Sequence, residues 1–264
     1  DLVDSLTQIG AKIDYIGDPG YPPLKISPGN IICNKNIKIK GSVSSQYLTA
    51  LLIAGPLCNQ DLKIQIIGEL ISKPYINITL NLLAKFGIKY KNNQWKNFTL
   101  SSSSRFKSPK KIRVEGDASS ASYFFAAGAI GGSVEVCNIK SSSIQGDLEF
   151  LKIIKKMGAK IEYFSNSIKV SKKNQLLGMT IDCKNIPDAA MTLAVIALFA
   201  EGATTLKSIA SWRVKETDRI SAMENELKKL GASVKTTKSS ITITPPRSIN
   251  NNIIIDTYDD HRIA

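Results

Sequence analysis

Residues 213–219, which read RVKETDR, carry the densest cluster of charge in the chain. Their position before an amphipathic stretch predicts the start of a helix, where Lys215 and Arg219 would be like charges four positions apart. Such a pair weakens a helix, and cations are unfavourable at the positive end of a helix dipole. A bound anion would remove this conflict, whereas the alternative is a solvated helix face. Glu216, flanked by both cations, is a candidate proton carrier.

Two other positions carry groups suited to proton transfer or anion binding. Asp188 follows Pro187 and precedes an almost entirely apolar stretch, so its carboxylate is expected at the mouth of a buried helix. There it either caps the helix or accepts a proton from a substrate hydroxyl. His261 is the single histidine of the chain and is followed by Arg262. Lone histidines are usually structural, but this pair offers enough donors for a carboxylate or a phosphate.

A repeated pattern of elements positions these residues. A unit of about 70 residues recurs, and each copy predicts a strand, a small-residue helix, a second strand, an amphipathic helix and a two-stranded ribbon. Each amphipathic helix is followed by glycine, which suits the left-handed position after a helix; these are Gly87, Gly158 and Gly231. The pattern predicts an α/β fold of βαβαββ units, with copies at residues 37–100, 111–171 and 179–244.

Polar side chains open each small-residue helix. The first turn of a helix presents free N–H donors and about half a positive charge, so it suits an anion. If all copies point these ends the same way, a cleft lined with anion sites results, although ordinary N-capping accounts for any single one. The side chains are Ser44, Ser45 and Gln46, then Asp117, Ser119 and Ser120, then Asp188, and finally Asp259, Asp260, His261 and Arg262.

The composition argues against several classes of protein. The formal charge is +13, but the lysines are scattered and only six of the 35 basic residues are arginines, so we expect no nucleic-acid partner. The four cysteines and one histidine lack metal-ligand spacing, so we expect neither a metal site nor a disulfide framework. No stretch has the length of a membrane span and no leader pattern is present, which predicts a soluble, cytoplasmic protein without membrane contact.

Residues 101–111 are rich in serine, proline and lysine, which is typical of a linker. We therefore expect two domains, residues 1–114 and 115–264. Residues 1–10 look like the second half of an amphipathic helix that stops at Gly10, and residues 252–264 predict a strand and the start of a helix. Because both ends resemble pieces of the repeated unit, we expect a fragment that lacks both ends of a longer protein.

Six segments, in this order, closely resemble the 5-enolpyruvylshikimate-3-phosphate (EPSP) synthase family, whose members are 3-phosphoshikimate 1-carboxyvinyltransferases. The resemblance runs along essentially the whole chain, and six motifs in register are highly specific. The segments are residues 41–47 (GSVSSQY), 72–75 (SKPY), 115–121 (EGDASSA), 186–190 (IPDAA), 213–219 (RVKETDR) and 260–262 (DHR).

The resemblance implies a two-lobed inside-out α/β barrel of enolpyruvyl transferase type, incomplete here, with residues 1–114 in the lobe that binds shikimate 3-phosphate. It implies transfer of the enolpyruvyl group of phosphoenolpyruvate to the 5-hydroxyl of shikimate 3-phosphate, with release of phosphate. This reaction serves the shikimate pathway to chorismate and the aromatic amino acids. No metal and no organic cofactor take part, and we expect a monomer whose partners are these two small molecules.

The same resemblance implies roles for individual residues. Asp188 would be the base for the substrate hydroxyl, and Glu216 would take part in proton transfer at the methylene carbon of phosphoenolpyruvate. The residues expected to bind shikimate 3-phosphate are Ser44, Ser45, Gln46, Ser72, Tyr75, Asp188, Ser211 and Lys215. Those expected to bind phosphoenolpyruvate are Gln46, Arg219, His261 and Arg262.

This chain departs from the family pattern in two respects. Ser211 stands where the family usually has asparagine, and the family's Gly-Ser-Lys-Ser segment, its Gly-Asn-Ala-Gly-Thr loop with a following arginine, and its C-terminal lysine lie outside the chain. Each lost charge-assisted hydrogen bond weakens binding by roughly 1.5 to 3 kcal/mol, so we expect the chain to be inactive by itself. Two alternatives are a UDP-N-acetylglucosamine enolpyruvyl transferase and a non-catalytic repeat module that binds nucleic acid.

Overall fold

The computed structural model describes residues 1–33, 36–58 and 60–264. They form two compact units, residues 1–112 and 113–264, here called unit 1 and unit 2. The division lies two residues before the cut expected from the linker-like sequence. Which substrate each unit serves stays a prediction.

Unit 1 contains one full copy of the repeated pattern. The elements are α1 (Leu2–Gln8), β1 (Lys12–Tyr15), β2 (Leu24–Ser27), β3 (Asn36–Lys40), α2 (Ser45–Ala54), β4 (Leu62–Ile67), α3 (Lys73–Lys85), β5 (Tyr90–Asn93) and β6 (Asn97–Leu100). A four-stranded sheet in the order β3-β4-β6-β5 has β3 and β4 parallel and the other pairs antiparallel. Alternate strand residues, such as Ile37 and Ile39, share a buried core with α2 and α3.

Unit 2 contains two further copies with a common core. The elements are α4 (Ala118–Gly131), β7 (Ser133–Cys137), α5 (Glu149–Met157), β8 (Lys160–Tyr163), β9 (Ser167–Ser171), β10 (Leu176–Leu177), β11 (Thr180–Asp182), α6 (Ala189–Ile196), β12 (Ala200–Glu201), β13 (Thr204–Lys207), α7 (Arg219–Lys229), β14 (Ser233–Thr236) and β15 (Ser240–Thr244). The sheets have the orders β7-β9-β8 and β11-β13-β15-β14, with a short pair β10-β12. The small-residue helices α4 and α6 are apolar on nearly every face and lie inside the common core, as such helices must.

The three glycines after the amphipathic helices have the backbone conformation that the sequence predicts. Gly87, Gly158 and Gly231 have φ values of +82°, +125° and +93°. Each N–H also bonds back to a carbonyl of the last helical turn. The end of every amphipathic helix is therefore defined locally by a residue without a side chain.

Two predicted strands do not form. Residues 111–116 are irregular because the Asn138 side chain takes the place of a strand ladder: its Nδ2 donates to the Val114 carbonyl and its Oδ1 accepts from Arg113. A backbone bond from the Gly116 N–H to the Asn138 carbonyl ties the end of this segment to the residue after β7. Residues 252–256 are also irregular, and after Asp260 the chain makes a single helical turn rather than a helix.

None of the helices in the described parts of the chain is both long enough and apolar enough to span a membrane.

Gly41 brings the two loops that carry the expected substrate residues of unit 1 side by side. Its N–H donates to the Ile67 carbonyl, and its own carbonyl accepts from the Ile71 N–H. A Cβ at this position would lie 2.8 Å from the Glu69 carbonyl oxygen and 2.9 Å from the Leu70 Cα. These are backbone atoms that cannot move without shifting the loop.

We therefore expect Gly41→Ala to destabilise unit 1 by about 1–3 kcal/mol, the usual cost of overpacking. Gly17→Ala is the matched control, because an added Cβ there meets no atom within 4 Å and the backbone is not left-handed. Urea unfolding of both variants measures the difference. Equal midpoints for the two would show that the loops are not in tight contact.

Candidate active site

The buried guanidinium of Arg219 is the centre of a charged cluster in unit 2. Only 1% of this side chain is exposed. Its Nε and Nη2 donate to the two carboxylate oxygens of Asp260 at 2.7 and 2.9 Å. Nη1 donates to Asp188 at 3.2 Å and Nη2 also donates to Glu216 at 2.9 Å. Burial lowers the pKa of Arg219, but the bonds and charges of these carboxylates outweigh it and raise the pKa overall.

Arg219 reaches this position because α7 begins at it, which corrects the prediction of a helix across residues 213–219. Asp218 Oδ1 accepts from the N–H groups of Ile220 and Ser221, which caps the helix. Arg213 donates to Asp218 at 2.6 Å and to the Thr237 carbonyl at 2.8 Å, so it fastens the preceding loop to the β14–β15 turn. Lys215 is thus outside the helix, and the expected repulsion at i,i+4 does not arise.

Asp260 has no exposed side-chain surface and is paired with Arg219 on both oxygens. Burial alone raises the pKa of this carboxyl, but the Arg219 bonds and the Arg262 N–H outweigh that effect and lower the pKa. The Arg262 N–H bond to Oδ1 is 2.9 Å long. Asp260 therefore joins the start of α7 to the turn that carries His261 and Arg262.

Asp188 does not cap α6, although it occupies the N-cap position. Its Oδ1 accepts from Arg219, and its Oδ2 lies 3.5 Å from Nη2 of Arg262. The carboxylate is therefore held between two guanidinium groups. The preceding Pro187 carbonyl accepts a 2.7 Å hydrogen bond from the buried Trp212 indole, which fixes the approach to the helix.

Arg262 has unused capacity to donate hydrogen bonds. Its partners are Asp117 at 3.9 Å, Asp188 at 3.5 Å and the Tyr123 hydroxyl, and its buried Nε has no partner in the described structure. Burial lowers the pKa of Arg262, but these neighbours raise it overall. Asp117 also caps α4 through the N–H groups of Ser119 and Ser120. A buried unpaired donor on a cation is the feature that an anionic ligand would satisfy.

Glu216 and His261 form the exposed side of the cluster. His261 Nδ1 lies 3.6 Å from Glu216 and 4.0 Å from Asp260. The Glu216 side chain is 45% exposed and the His261 side chain is 61% exposed. Ligand atoms of Glu216, Asp260 and His261 lie within 4.8 Å of one another, the spacing of a metal set. However, Arg219 already occupies both oxygens of Asp260 and one of Glu216, so a metal ion would have to displace it.

The cysteines take no part in this cluster. Cys33 and Cys183 are buried, and burial is the main cause that raises the pKa of each thiol to about 12. Cys58 is half-buried and Cys137 exposed, and all four are free thiols.

Unit 1 contains the expected substrate residues at the starts of α2 and α3. Ser44 caps α2, its Oγ accepting from the Gln46 N–H at 3.2 Å, which leaves its hydroxyl proton available to an anion. Ser45 is buried in the first turn of α2, and Ser72 is buried in a left-handed conformation (φ +53°) at the start of α3. The Tyr75 N–H bonds to the Ser72 carbonyl. The two loops that Gly41 joins therefore present these side chains at one edge of the sheet.

Two expected residues form no ion pair or side-chain hydrogen bond with the charged cluster in the described parts of the chain. Ser211 and Lys215 are half-buried in the segment before α7, and within the described residues neither forms an ion pair or a side-chain hydrogen bond. Conversely, the residue roles implied by the family resemblance omit Asp117, Asp260 and Asp147, although Asp117 and Asp260 are among the polar side chains expected to open helices. Asp260 had a signal, since it adjoins His261 in a recognised motif. Asp147 had none, since its partners are 28 and 42 residues away.

We expect Arg219→Met to destabilise unit 2 by roughly 3–5 kcal/mol, because it leaves the buried Asp260 carboxylate without its partner. Methionine retains the apolar part of the side chain. Arg247→Met is the control, since Arg247 is exposed and forms no ion pair among the described residues, and it should change stability by less than about 0.5 kcal/mol. Urea denaturation of the chain measures both. If Arg219→Met lowers the free energy of unfolding by less than about 1 kcal/mol, Arg219 does not hold the charged cluster together.

Acid should weaken the pair between Asp260 and Arg219. The pKa of Asp260 is lower in the folded than in the unfolded chain, so its stabilisation is complete above the unfolded value of about 4 and is lost as the pH falls toward the folded value. The stability gap between the original chain and Asp260→Asn should therefore narrow between pH 5 and pH 3. The pKa values of Asp117 and Asp218 are also lowered, but these groups titrate in both proteins, so their contributions cancel in the difference. If the difference in free energy of unfolding between the two proteins stays constant with pH, the pKa of Asp260 is the same in the folded and unfolded chain and the prediction is wrong.

The chain as a whole matches known proteins of one family. The family described as EPSP synthase (3-phosphoshikimate 1-carboxyvinyltransferase) matches residues 1–264. The whole chain is 53% identical to the 3-phosphoshikimate 1-carboxyvinyltransferase of Cupriavidus necator and 54% identical to that of Herminiimonas arsenicoxydans. It spans 63% and 60% of these two proteins, about three fifths of their length.

Solved structures share the fold. An EPSP synthase from Acinetobacter baumannii superposes with a TM-score of 0.75 at 25% identity over 99% of this chain and 61% of that one. The enolpyruvyl transferase NikO from Streptomyces tendae has a TM-score of 0.68 at 12% identity over 93% of this chain and 58% of that one, which shows the fold alone. The predicted enolpyruvyl transferase fold is confirmed, and the chain belongs to the EPSP synthase family.

Proposed function

We propose that the chain is the larger part of a 3-phosphoshikimate 1-carboxyvinyltransferase. The protein transfers the enolpyruvyl group of phosphoenolpyruvate to the 5-hydroxyl of shikimate 3-phosphate and releases phosphate. The observation that carries the proposal is the placement of Asp188 between Arg219 and Arg262, beside Glu216 and His261. This arrangement joins a proton acceptor to donors for anions, which is what transfer from a phosphate ester to a hydroxyl needs.

Asp188 is the acceptor of the hydroxyl proton. In the net reaction the hydroxyl oxygen bonds to the enol carbon of phosphoenolpyruvate, the bond from that carbon to the phosphate oxygen breaks, and the hydroxyl proton must leave. Asp188 makes no bond to its own helix, so each of its oxygens has one arginine contact and a further lone pair to accept the hydroxyl proton. Its contacts to the two arginines fix its direction, so it can meet a bound substrate without reorganising.

Glu216 is the group that exchanges a proton with the methylene carbon. It is nearly half exposed, so a substrate can reach it, and its Oε2 is held by Arg219 at 2.9 Å. The other oxygen faces His261 Nδ1 at 3.6 Å. A proton on the histidine can therefore be passed to a neighbouring carboxylate oxygen without a large movement of either side chain.

The two arginines have different tasks. Arg219 is nearly saturated by its carboxylate partners, so its main task is to hold Asp188, Glu216 and Asp260 together. Arg262, with its unpaired Nε and longer contacts, is the better donor to the phosphate or carboxylate of phosphoenolpyruvate. The cluster also contains four carboxylates, including Asp117, against two guanidinium groups, so an anionic substrate needs further cations. This imbalance supports the expectation that the chain alone binds its substrates weakly.

Unit 1 supplies the contacts to shikimate 3-phosphate. The hydroxyls of Ser44, Ser45 and Ser72, the Gln46 amide and Tyr75 lie on the two adjoining loops at the starts of α2 and α3. Helix N-termini and hydroxyl donors together suit a phosphate and a polyol. Lys215 and Ser211 of unit 2 are assigned to the same substrate by the resemblance.

The sibling reaction on UDP-N-acetylglucosamine is not favoured, because the relatives that match the whole chain are named 3-phosphoshikimate 1-carboxyvinyltransferases. The remaining expectations form part of the proposal: a monomer in the cytoplasm, without cofactor, that binds neither nucleic acid nor a membrane.

The test is a chimera in which this chain replaces the matching three fifths of the Herminiimonas arsenicoxydans relative. Phosphate release is measured with phosphoenolpyruvate and either shikimate 3-phosphate or UDP-N-acetylglucosamine. We expect turnover with shikimate 3-phosphate only, and none from the 264-residue chain by itself.

Asp188→Asn should lower kcat by roughly 100-fold or more, the usual contribution of a positioned base. Asp182→Asn, an exposed aspartate of the same unit, should leave kcat unchanged.

Turnover with the UDP-sugar alone would assign the chain to the sibling reaction. An active Asp188→Asn chimera would show that Asp188 is not the base. A chimera that folds but is inactive would refute the proposed function.

A further inference from the structure

One buried carboxylate outside the charged cluster connects the N-termini of two helices in unit 2. Asp147 lies in a short turn between β7 and α5 and is 4% exposed. Its Oδ2 accepts a 2.8 Å hydrogen bond from the Ser119 hydroxyl in the first turn of α4. Its Oδ1 accepts a 3.3 Å bond from the Ala189 N–H, the first amide of α6. A single side chain thus contacts both small-residue helices where their expected ligand groups begin.

The neighbouring Gln145 strengthens the contact with α4. Its Oε1 accepts from the Ala118 N–H at 2.8 Å, and its Nε2 donates to the Gly116 carbonyl at 2.8 Å. Residues 145–147 are therefore tied to both sides of Asp117, the residue that faces Arg262. Through Asp147 the same turn is tied to the residue after Asp188. The turn at residues 145–147 therefore sets the distance between the carboxylates of Asp117 and Asp188, which flank Arg262.

The hydrogen bonds at the start of α6 leave the Asp188 side chain available. The first N–H groups of a helix have no partner within the helix, and an N-cap side chain commonly accepts from the second or third of them. In α6 those two amides donate to backbone carbonyls, and Asp147 accepts from the remaining first amide, that of Ala189. The first turn is therefore completed without the carboxylate of Asp188, which can point at Arg219 and Arg262.

We propose that Asp147 is a positioning residue for the transfer reaction: by accepting from Ala189 and Ser119 it fixes the start of α6 against that of α4 and holds the Asp188 carboxylate in register with Arg262. Asp147 does not touch substrate. This inference rests on the proposed function for its kinetic consequence, but its structural part concerns the chain alone.

The kinetic test uses the chimera with Asp147→Ala, Asp147→Asn and Ser122→Ala. Asp147→Ala leaves the Ala189 N–H buried without a partner, so the first turn of α6 shifts and Asp188 with it. We expect kcat to fall roughly 10- to 100-fold, as displacements near 1 Å do, with little change in KM for shikimate 3-phosphate. Asparagine retains the acceptor for Ala189 and can donate to Ser119, so it should restore most of kcat.

Ser122→Ala is the matched control. The Ser122 hydroxyl forms a buried 2.7 Å hydrogen bond with that of Thr192, which joins the same two helices away from their N-termini. Its loss should lower stability without changing kcat. If Ser122→Ala and Asp147→Ala lower kcat equally, or if asparagine restores nothing, the role of Asp147 is general stability and the proposal fails.

A second measurement on the 264-residue chain needs no substrate. Free energies of unfolding for Asp147→Ala, Asp188→Asn and the double variant should be non-additive, because Asp188 has already lost its arginine contacts when Asp147 is absent. Ser122→Ala and Asp188→Asn should be additive. Additivity for the first pair would overturn the positioning role even if the chimera is active. An inactive chimera with a non-additive first pair would refute the transfer function and leave the positioning of Asp188 standing.

Discussion

The structure of unit 2 depends on one buried cation. Arg219 is almost completely removed from solvent, and such a charge is tolerated only when carboxylates and hydrogen bonds replace the lost water. Three carboxylates do so, from three separate parts of the chain: Asp188 before α6, Glu216 before α7 and Asp260 in the last turn. Satisfying the guanidinium thus forces the candidate catalytic groups to one place.

This requirement also explains the division of tasks among acidic residues. Five aspartates of unit 2 lie near the start of a helix or helical turn, but only some complete a helix: Asp117 caps α4, Asp218 caps α7 and Asp147 accepts from the first amide of α6. Asp188 and Asp260 are used for the arginines instead. Two aspartates with similar sequence surroundings can therefore have opposite roles. Asp188 can take the second role because backbone carbonyls and the Asp147 side chain already accept from the first amides of α6.

The sequence predicts the elements well where a local signal decides them. The alternation of buried residues in β3 and β4, the apolar helices α4 and α6 and the glycines after the amphipathic helices all follow from short-range pattern. The failures are long-range. Residues 111–116 have strand composition, but the Asn138 side chain takes their backbone groups. The helix expected at residue 213 starts at residue 219, because Arg213 pairs with Asp218 and fastens the loop to the β14–β15 turn.

The same distinction applies to the site. Residue type and motif indicated Asp188, Glu216, Arg219 and His261, because unusual charge at a helix start is visible in sequence. They could not indicate which arginine is available to a ligand. By composition Arg219 and Arg262 are equivalent, yet Asp260 saturates the first and leaves the second with an unpaired buried donor. An arginine can bind a ligand only through the N–H donors that the carboxylates of the protein leave unpaired. A charge that looks functional in sequence can thus be the one that builds the site, while its neighbour serves the substrate.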